Sequence, residues 1–185
     1  MNKEDLAFHY VCTREEARQL VGQYERFWVL NCGCREARKE GCSRSRIDLC
    51  LMFRSDITGS DGSGKKEISR AELEEIFQEA RDKHLVTRPF RNDKDRSQTE
   101  GICFCCDDCC AYFLDPTEKC DKGELIEKTE QDNCTNCGEC VEVCYFKARK
   151  MEEDKLQVDQ KECYGCGLCV DVCSEGCISM VERIK

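Results

Sequence analysis

No stretch of this sequence approaches the roughly 18 consecutive apolar residues that a membrane-spanning helix needs. The first ten residues are charged and hold no apolar leader core, so export is not expected. There is no glycine-rich phosphate loop, no dinucleotide fingerprint and no Ser/His/Asp set, which leaves no catalytic constellation. The two histidines, His9 and His84, read as surface or half-buried residues rather than as ligands.

What the chain has is cysteine, 20 of its 185 residues. Such density would permit a disulfide scaffold. Without an export leader, the setting expected is the reducing cytoplasm, where dense cysteine more often binds metal. Metal ligation would also supply folding energy that so small a core lacks.

Two runs near the C-terminus match. One is Cys134, Cys137, Cys140 and Cys144; the other is Cys163, Cys166, Cys169 and Cys173. Two-residue gaps let three sulfurs from one tight loop reach three irons of a four-iron, four-sulfur core. A zinc site would explain neither the third cysteine nor the three-residue step. The runs belong to an internal repeat in which 132–151 aligns with 161–180 at an offset of 29, with eight of twenty positions identical. Two halves related by a pseudo-twofold axis are therefore expected. Each has a short helix, and the strands lie at 155–159 and 178–181. Gly138 and Gly167 would let backbone N–H groups approach inorganic sulfide.

The net charge of −9 is unevenly placed. Residues 1–100 hold 19 basic and 19 acidic side chains, so the whole excess lies on 101–185. That surface would repel nucleic acid, and it either steers toward a basic patch on a redox partner protein or only keeps the domain soluble. Membrane insertion is not expected, and the chain reads as a carrier or oxidoreductase subunit, with oligomer formation left open.

The front part carries two capping boxes. Thr13 and Glu16 open a helix with Ala17, Leu20 and Val21 on one face, and Tyr24 just beyond. Ser69 and Glu72 open another, with Leu73, Ile76, Phe77 and Ala80. Residues 26–30 read as a strand leading into Cys32, with Phe27 and Trp28 as core anchors, and 84–87 as a second. Polar loops are expected at 55–66 and 91–101, and a linker at 114–129.

Nine cysteines punctuate this front part: Cys32, Cys34, Cys42 and Cys50, then Cys103, Cys105, Cys106, Cys109 and Cys110. The simplest assignment gives the first four to one further centre and the second group to another. One or two additional iron–sulfur centres are expected, with zinc as the lesser alternative. Adjacent Cys105 and Cys106 point apart in an extended chain, so they would not share one metal. Arg35 would either donate to cluster sulfur or be an ordinary solvated or salt-bridged residue. Cys12 and Cys120 read as packing residues.

Residues 130–182 resemble bacterial-type ferredoxins carrying two [4Fe-4S] clusters. The resemblance implies a ferredoxin-like fold, low-potential one-electron transfer and a crossed ligand pattern. It gives Cys134, Cys137, Cys140 and Cys173 to one cluster, and Cys163, Cys166, Cys169 and Cys144 to the other. Two departures stand out. Tyr145 and Ser174 replace the proline usual after each fourth cysteine. Cys177 replaces the usual alanine, as a small buried hydrophobe or as a spare ligand. The front part is similar to the N-terminal domain of uncharacterised multi-cluster ferredoxin-like proteins of anaerobes, through Cys32, Cys34, Arg35, Cys50, Ile102, Cys103, Cys105, Cys106, Cys109 and Cys110.

The expected architecture is α+β. A small cysteine-rich α/β domain over 1–113 precedes a two-cluster ferredoxin-like module over 130–185. The expected function is single-electron transfer. The alternatives are an iron–sulfur enzyme or reductase-activating factor with a substrate-accessible front cluster, and a redox-sensing regulator on a winged-helix frame. The last would need a basic recognition face, and the basic run at 88–96 is broken by Asp93 and Asp95.

Overall fold

The computed structural model describes residues 5–38, 41–56, 65–115 and 117–184. Most of the glycine-bearing loop expected at 55–66 lies outside the described residues. The elements are β1 (His9–Tyr10), α1 (Arg14–Val21), β2 (Phe27–Leu30), α2 (Gly33–Glu36), β3 (Cys50–Met52), β4 (Lys66–Ile68), α3 (Arg70–Asp82), β5 (Val86–Arg91) and β6 (Thr99–Cys105). They continue with α4 (Ala111–Leu114), β7 (Cys120–Asp121), β8 (Leu125–Thr129), α5 (Glu139–Glu142), β9 (Arg149–Glu152), β10 (Lys155–Val158), α6 (Leu168–Asp171) and β11 (Ile178–Glu182). The mixture is α+β, as the sequence predicts.

Both capping boxes form. The Thr13 and Ser69 hydroxyls accept from the backbone N–H of Glu16 and Glu72, whose carboxylates return to the cap N–H groups. α3 buries the four apolar residues that its period places on one face. They lie against a seven-stranded sheet of order β4-β2-β3-β6-β5-β1-β7, in which only the β1–β7 pair is parallel.

Alternation along the strands sorts the side chains between two faces. Phe27, Val29, Leu51, Ile102 and Phe104 join the main core with α1 and α3. Trp28, Leu30, Cys50 and Met52 face the other way, with Cys103 packed on them. This broad sheet replaces the winged-helix arrangement. Its basic run is also spent internally: Arg88 pairs with Glu118, Arg91 with Asp121 and Arg96 with Asp93.

Several boundaries move. β5 starts only at Val86, because His84 turns the chain out of α3 with φ 50. The polar stretch at 91–101 is loop only in its middle, since β6 already begins at Thr99. The expected linker at 114–129 is structured: β7 joins the large sheet and β8 pairs with β11.

The rear unit therefore holds four strands where the sequence suggested two. β9 and β10 form a hairpin, and β8 pairs with β11. The offset of 29 carries β8 onto β10 and β9 onto β11. The Ile126–Val181 partnership becomes the Lys155–Glu152 partnership. The repeat thus reaches back to β8, where sequence identity alone had lost it.

Front and rear share one core. Val143, Tyr145 and Leu168 belong to the cluster that contains Ile76 and Phe104. Arg14 pairs with Asp171, and the Gly123 N–H donates to the Tyr164 carbonyl at 2.9 Å. An aromatic group covers the seam: Phe113 meets Tyr145 and Phe146 at 5.8 and 5.3 Å, and Phe146 stacks on Tyr164 at 4.3 Å.

Candidate metal centres

The rear cysteines surround two cavities in the crossed pattern. One is lined by Cys134, Cys137, Cys140 and Cys173, with Cys177 beside them. The other is lined by Cys144, Cys163, Cys166 and Cys169. Each fourth cysteine crosses because α5 and α6 carry it away from its own loop. Gly138 and Gly167 cap these helices with φ 84 and φ 78, so their first role is conformational. The donors are soft thiols and the walls are largely apolar, which fits an iron–sulfur core.

The second cavity holds a buried ion pair where the first is aliphatic. Leu156 and Ile178 line the first, and their repeat mates Glu127 and Arg149 line the second. Glu127 and Arg149 are 2% and 4% exposed. Arg149 donates to Glu127 Oε2 at 2.5 Å, to Thr129 Oγ1 at 2.9 Å and to Cys140 Sγ at 3.3 Å. This buried cation therefore touches a sulfur of the first cavity while lining the second. Sequence reading missed the pair, although an acid and a base 22 residues apart, each aligned with an aliphatic residue, was a usable signal.

Cys177 is buried with its sulfur 3.5 Å from that of Cys173. Cys12 is a core residue, as expected.

The front cysteines divide differently from their order in sequence. Cys42 leaves the company of Cys32, Cys34 and Cys50 and joins Cys106 and Cys109. The Cys106 sulfur lies 3.5 Å from each of the other two. All three sulfurs fall within 4.8 Å of one another. Cys105 turns away from Cys106, as adjacent residues of an extended segment must.

The other six form a closed ring. Cys50 and Cys103 oppose each other across β3 and β6, with sulfurs 4.0 Å apart. Cys105 follows on the same face two residues along β6 and neighbours both Cys103 and Cys110. Cys110 caps α4 and meets Cys34. Cys34 meets Cys32, the cap of α2, and Cys32 returns to Cys50. Hydrogen bonds from Cys110 and Cys32 pull the Cys34 thiol well below the usual thiol range. The bonds that Cys110 makes to Cys105 and Cys34, with burial, push it strongly up.

Two arginines serve these groups. Arg88 is 1% exposed and stands opposite Cys103 in the sheet. It donates to Cys110 Sγ at 3.0 Å, to Cys105 Sγ at 3.7 Å and to Glu118 at 2.8 Å. Arg35 is 2% exposed, which removes the solvated reading. It holds the Arg46 and Phe104 carbonyls at 2.7 and 3.0 Å and reaches the Cys42 and Cys109 sulfurs. His9 is half-buried with Nε2 3.9 Å from Cys103 Sγ, and burial with the nearby Arg88 lowers it to about 3. Cys120, expected to pack, also lies beside Arg88.

Among the described residues no helix is long and apolar enough to cross a membrane. Compared with curated proteins, the chain has no match. Residues 133–177 match the family described as 4Fe-4S dicluster domain, so the segment that lines the two cavities is similar to iron–sulfur cluster-binding domains.

Proposed function

We propose that the chain is an iron–sulfur electron carrier or electron-transfer subunit. In this reading a bacterial-type ferredoxin module at the rear holds two [4Fe-4S] clusters, and the cysteine-rich front holds at least one further centre. The carrying observation is the sorting of eight rear thiols into two cavities of four. Cys134, Cys137, Cys140 and Cys173 are the ligands of the outer site; Cys144, Cys163, Cys166 and Cys169 are those of the inner one. When bound, such clusters supply one-electron redox chemistry. The residues themselves ligate, exclude water and set the local charge.

The sites also differ in access. Cys137 is exposed, whereas Cys163 and Cys169 are buried. Around Cys137 the chain exposes Asp132, Glu139, Glu142 and Glu175. Electrons would thus leave or enter at the acidic outer site, toward a protein with a basic patch. The inner site faces the front through Tyr145, whose ring meets Phe113 on one side and the Arg44 guanidinium on the other.

Anaerobic purification with iron and sulfide counts tests the reading. Wild-type protein should carry about eight irons from the rear alone, and more with front centres. Serine at both Cys137 and Cys166 should remove most of the rear complement and its electron-paramagnetic signal on reduction. Full retention of iron in that variant sinks the rear assignment.

The acidic rim carries its own expectation. Lysine at Glu139 and Glu142 should slow reduction of the cationic oxidant hexaammineruthenium by roughly tenfold at low salt, and hasten that of ferricyanide. Both effects should shrink near physiological ionic strength, where the Debye length is about 8 Å. Equal rates in wild type and variant would remove this face as the docking site.

A further inference from the structure

We propose that Cys32, Cys34, Cys50, Cys103, Cys105 and Cys110 together bind one polynuclear iron–sulfur core, separate from the smaller site at Cys42, Cys106 and Cys109. The inference rests on the reading that this chain handles iron–sulfur clusters, and it concerns only the front half.

Spacing is the first argument. A single tetrahedral ion at about 2.3 Å from each sulfur holds its thiolates roughly 3.8 Å from one another, all mutually. Cys42, Cys106 and Cys109 meet that condition, with Cys106 at 3.5 Å from both partners. The six ring thiols do not form such a group. Each has close neighbours on two sides only, and no three of them lie within 4.8 Å of one another, so one ion does not gather even three of the six. Thiolates of a cluster stand on different irons and need a wider spacing. The rear thiols, which lie within the segment similar to a 4Fe-4S dicluster domain, likewise form no group at single-ion spacing.

Number is the second argument. Six thiolates exceed the four that one tetrahedral ion accepts, so the ring suits several metal ions bridged by sulfide or by shared thiolates.

Charge and rigidity are the third. Arg88 places a buried guanidinium 3.0 Å from Cys110 Sγ and 3.7 Å from Cys105 Sγ. A cation in that position favours thiolate over thiol, the form that ligates metal. Three of the thiols stand on paired strands: Cys50 on β3, and Cys103 and Cys105 on β6. Their spacing is therefore fixed by the ladder rather than by a loop.

The test is metal and sulfide analysis of full-length protein loaded anaerobically, by native mass spectrometry and Mössbauer spectroscopy of iron-enriched samples. Wild type should carry iron beyond the roughly eight of the rear, in a Mössbauer component distinct from the rear clusters. Serine at Cys34 and Cys110 should abolish that component and leave the rear signals intact. Serine at Cys42 and Cys106 should retain it. The intact rear signal shows that the variant has folded and separates this outcome from failure of the rear assignment. The proposal is overturned if wild type shows rear components alone, if the Cys34/Cys110 variant keeps all its iron and sulfide, or if the ring-dependent metal is zinc.

Discussion

Replacing Arg149 by isoleucine is expected to destabilise the folded protein by about 3–5 kcal/mol. The change leaves the Glu127 carboxylate, 2% exposed, without its cation. Thr129 and Gln160 still donate to it, but neither carries charge. Yet the other half of the repeat solves the same position with Ile178 and Leu156. The double variant Arg149→Ile with Glu127→Leu therefore copies residues that this fold already packs. It should recover most of the loss, since an apolar pair of similar volume is often as stable as a buried ion pair. Denaturant unfolding of the loaded protein under anaerobic conditions measures all three forms. If the single variant is as stable as wild type, the pair is not the structural element described.

The same pair carries a redox consequence. Arg149 donates to Cys140 Sγ at 3.3 Å, and a hydrogen bond from a cation favours the electron-rich, reduced state of a neighbouring cluster. Removing it should lower the reduction potential of the site containing Cys140. Arg149→Lys, which keeps the charge, should lower it less. Spectroelectrochemical titration reads the shift directly. An unchanged potential in Arg149→Ile would show that the cation is there for Glu127 alone.

Gly165→Ala is the second large effect. Gly165 has φ +82, and an added Cβ would lie 2.2 Å from the Leu125 carbonyl oxygen, the first residue of β8. Left-handed strain of roughly 1–2 kcal/mol and overpacking of roughly 1–3 kcal/mol act together, for a loss of about 2–5 kcal/mol. The loop holding Cys163 and Cys166 would have to pull away from β8, so cluster content should fall as well. Gly176→Ala is the control. Its φ is +61 but nothing lies within 4 Å, so only the strain applies. Comparable thermal midpoints for the two variants would refute the contact argument.

The repeat mate of Gly165 shows why sequence identity did not reveal this position. Asn136 also sits in the left-handed region, with φ 57, and its Oδ1 accepts the Leu156 N–H at 2.9 Å. Asparagine tolerates that backbone, so the repeat keeps its shape while the residue changes. Only the approach of the Leu125 carbonyl makes glycine necessary in one half. The repeat's first strands were hidden in a similar way. β8 and β10 match in register but share no apolar pattern, because β8 carries the buried Glu127 where β10 carries Leu156.

The rear site was legible because a cluster loop is local: spacings of two and three residues decide which sulfurs can reach one core. The capped helices were legible for the same reason, since a capping box and a period of 3.6 act within a few residues. The front was not. Cys32, Cys34, Cys42 and Cys50 read as one group because they are neighbours in sequence. The sheet regroups them, because pairing of β3 with β6 sets Cys50 against Cys103, from 53 residues away. Arg88 and Arg149 look like ordinary surface charges until strand pairing buries them beside sulfur.

By itself, then, the sequence determined how the eight rear cysteines are spaced and that the acidic excess lies on their half of the chain, since spacing and net charge are properties of the chain. Tertiary structure alone decided which front thiols share a site, which arginines face them and where the pseudo-twofold symmetry breaks. Those depend on contacts between strands distant in sequence, and no local pattern encodes a partner across a sheet.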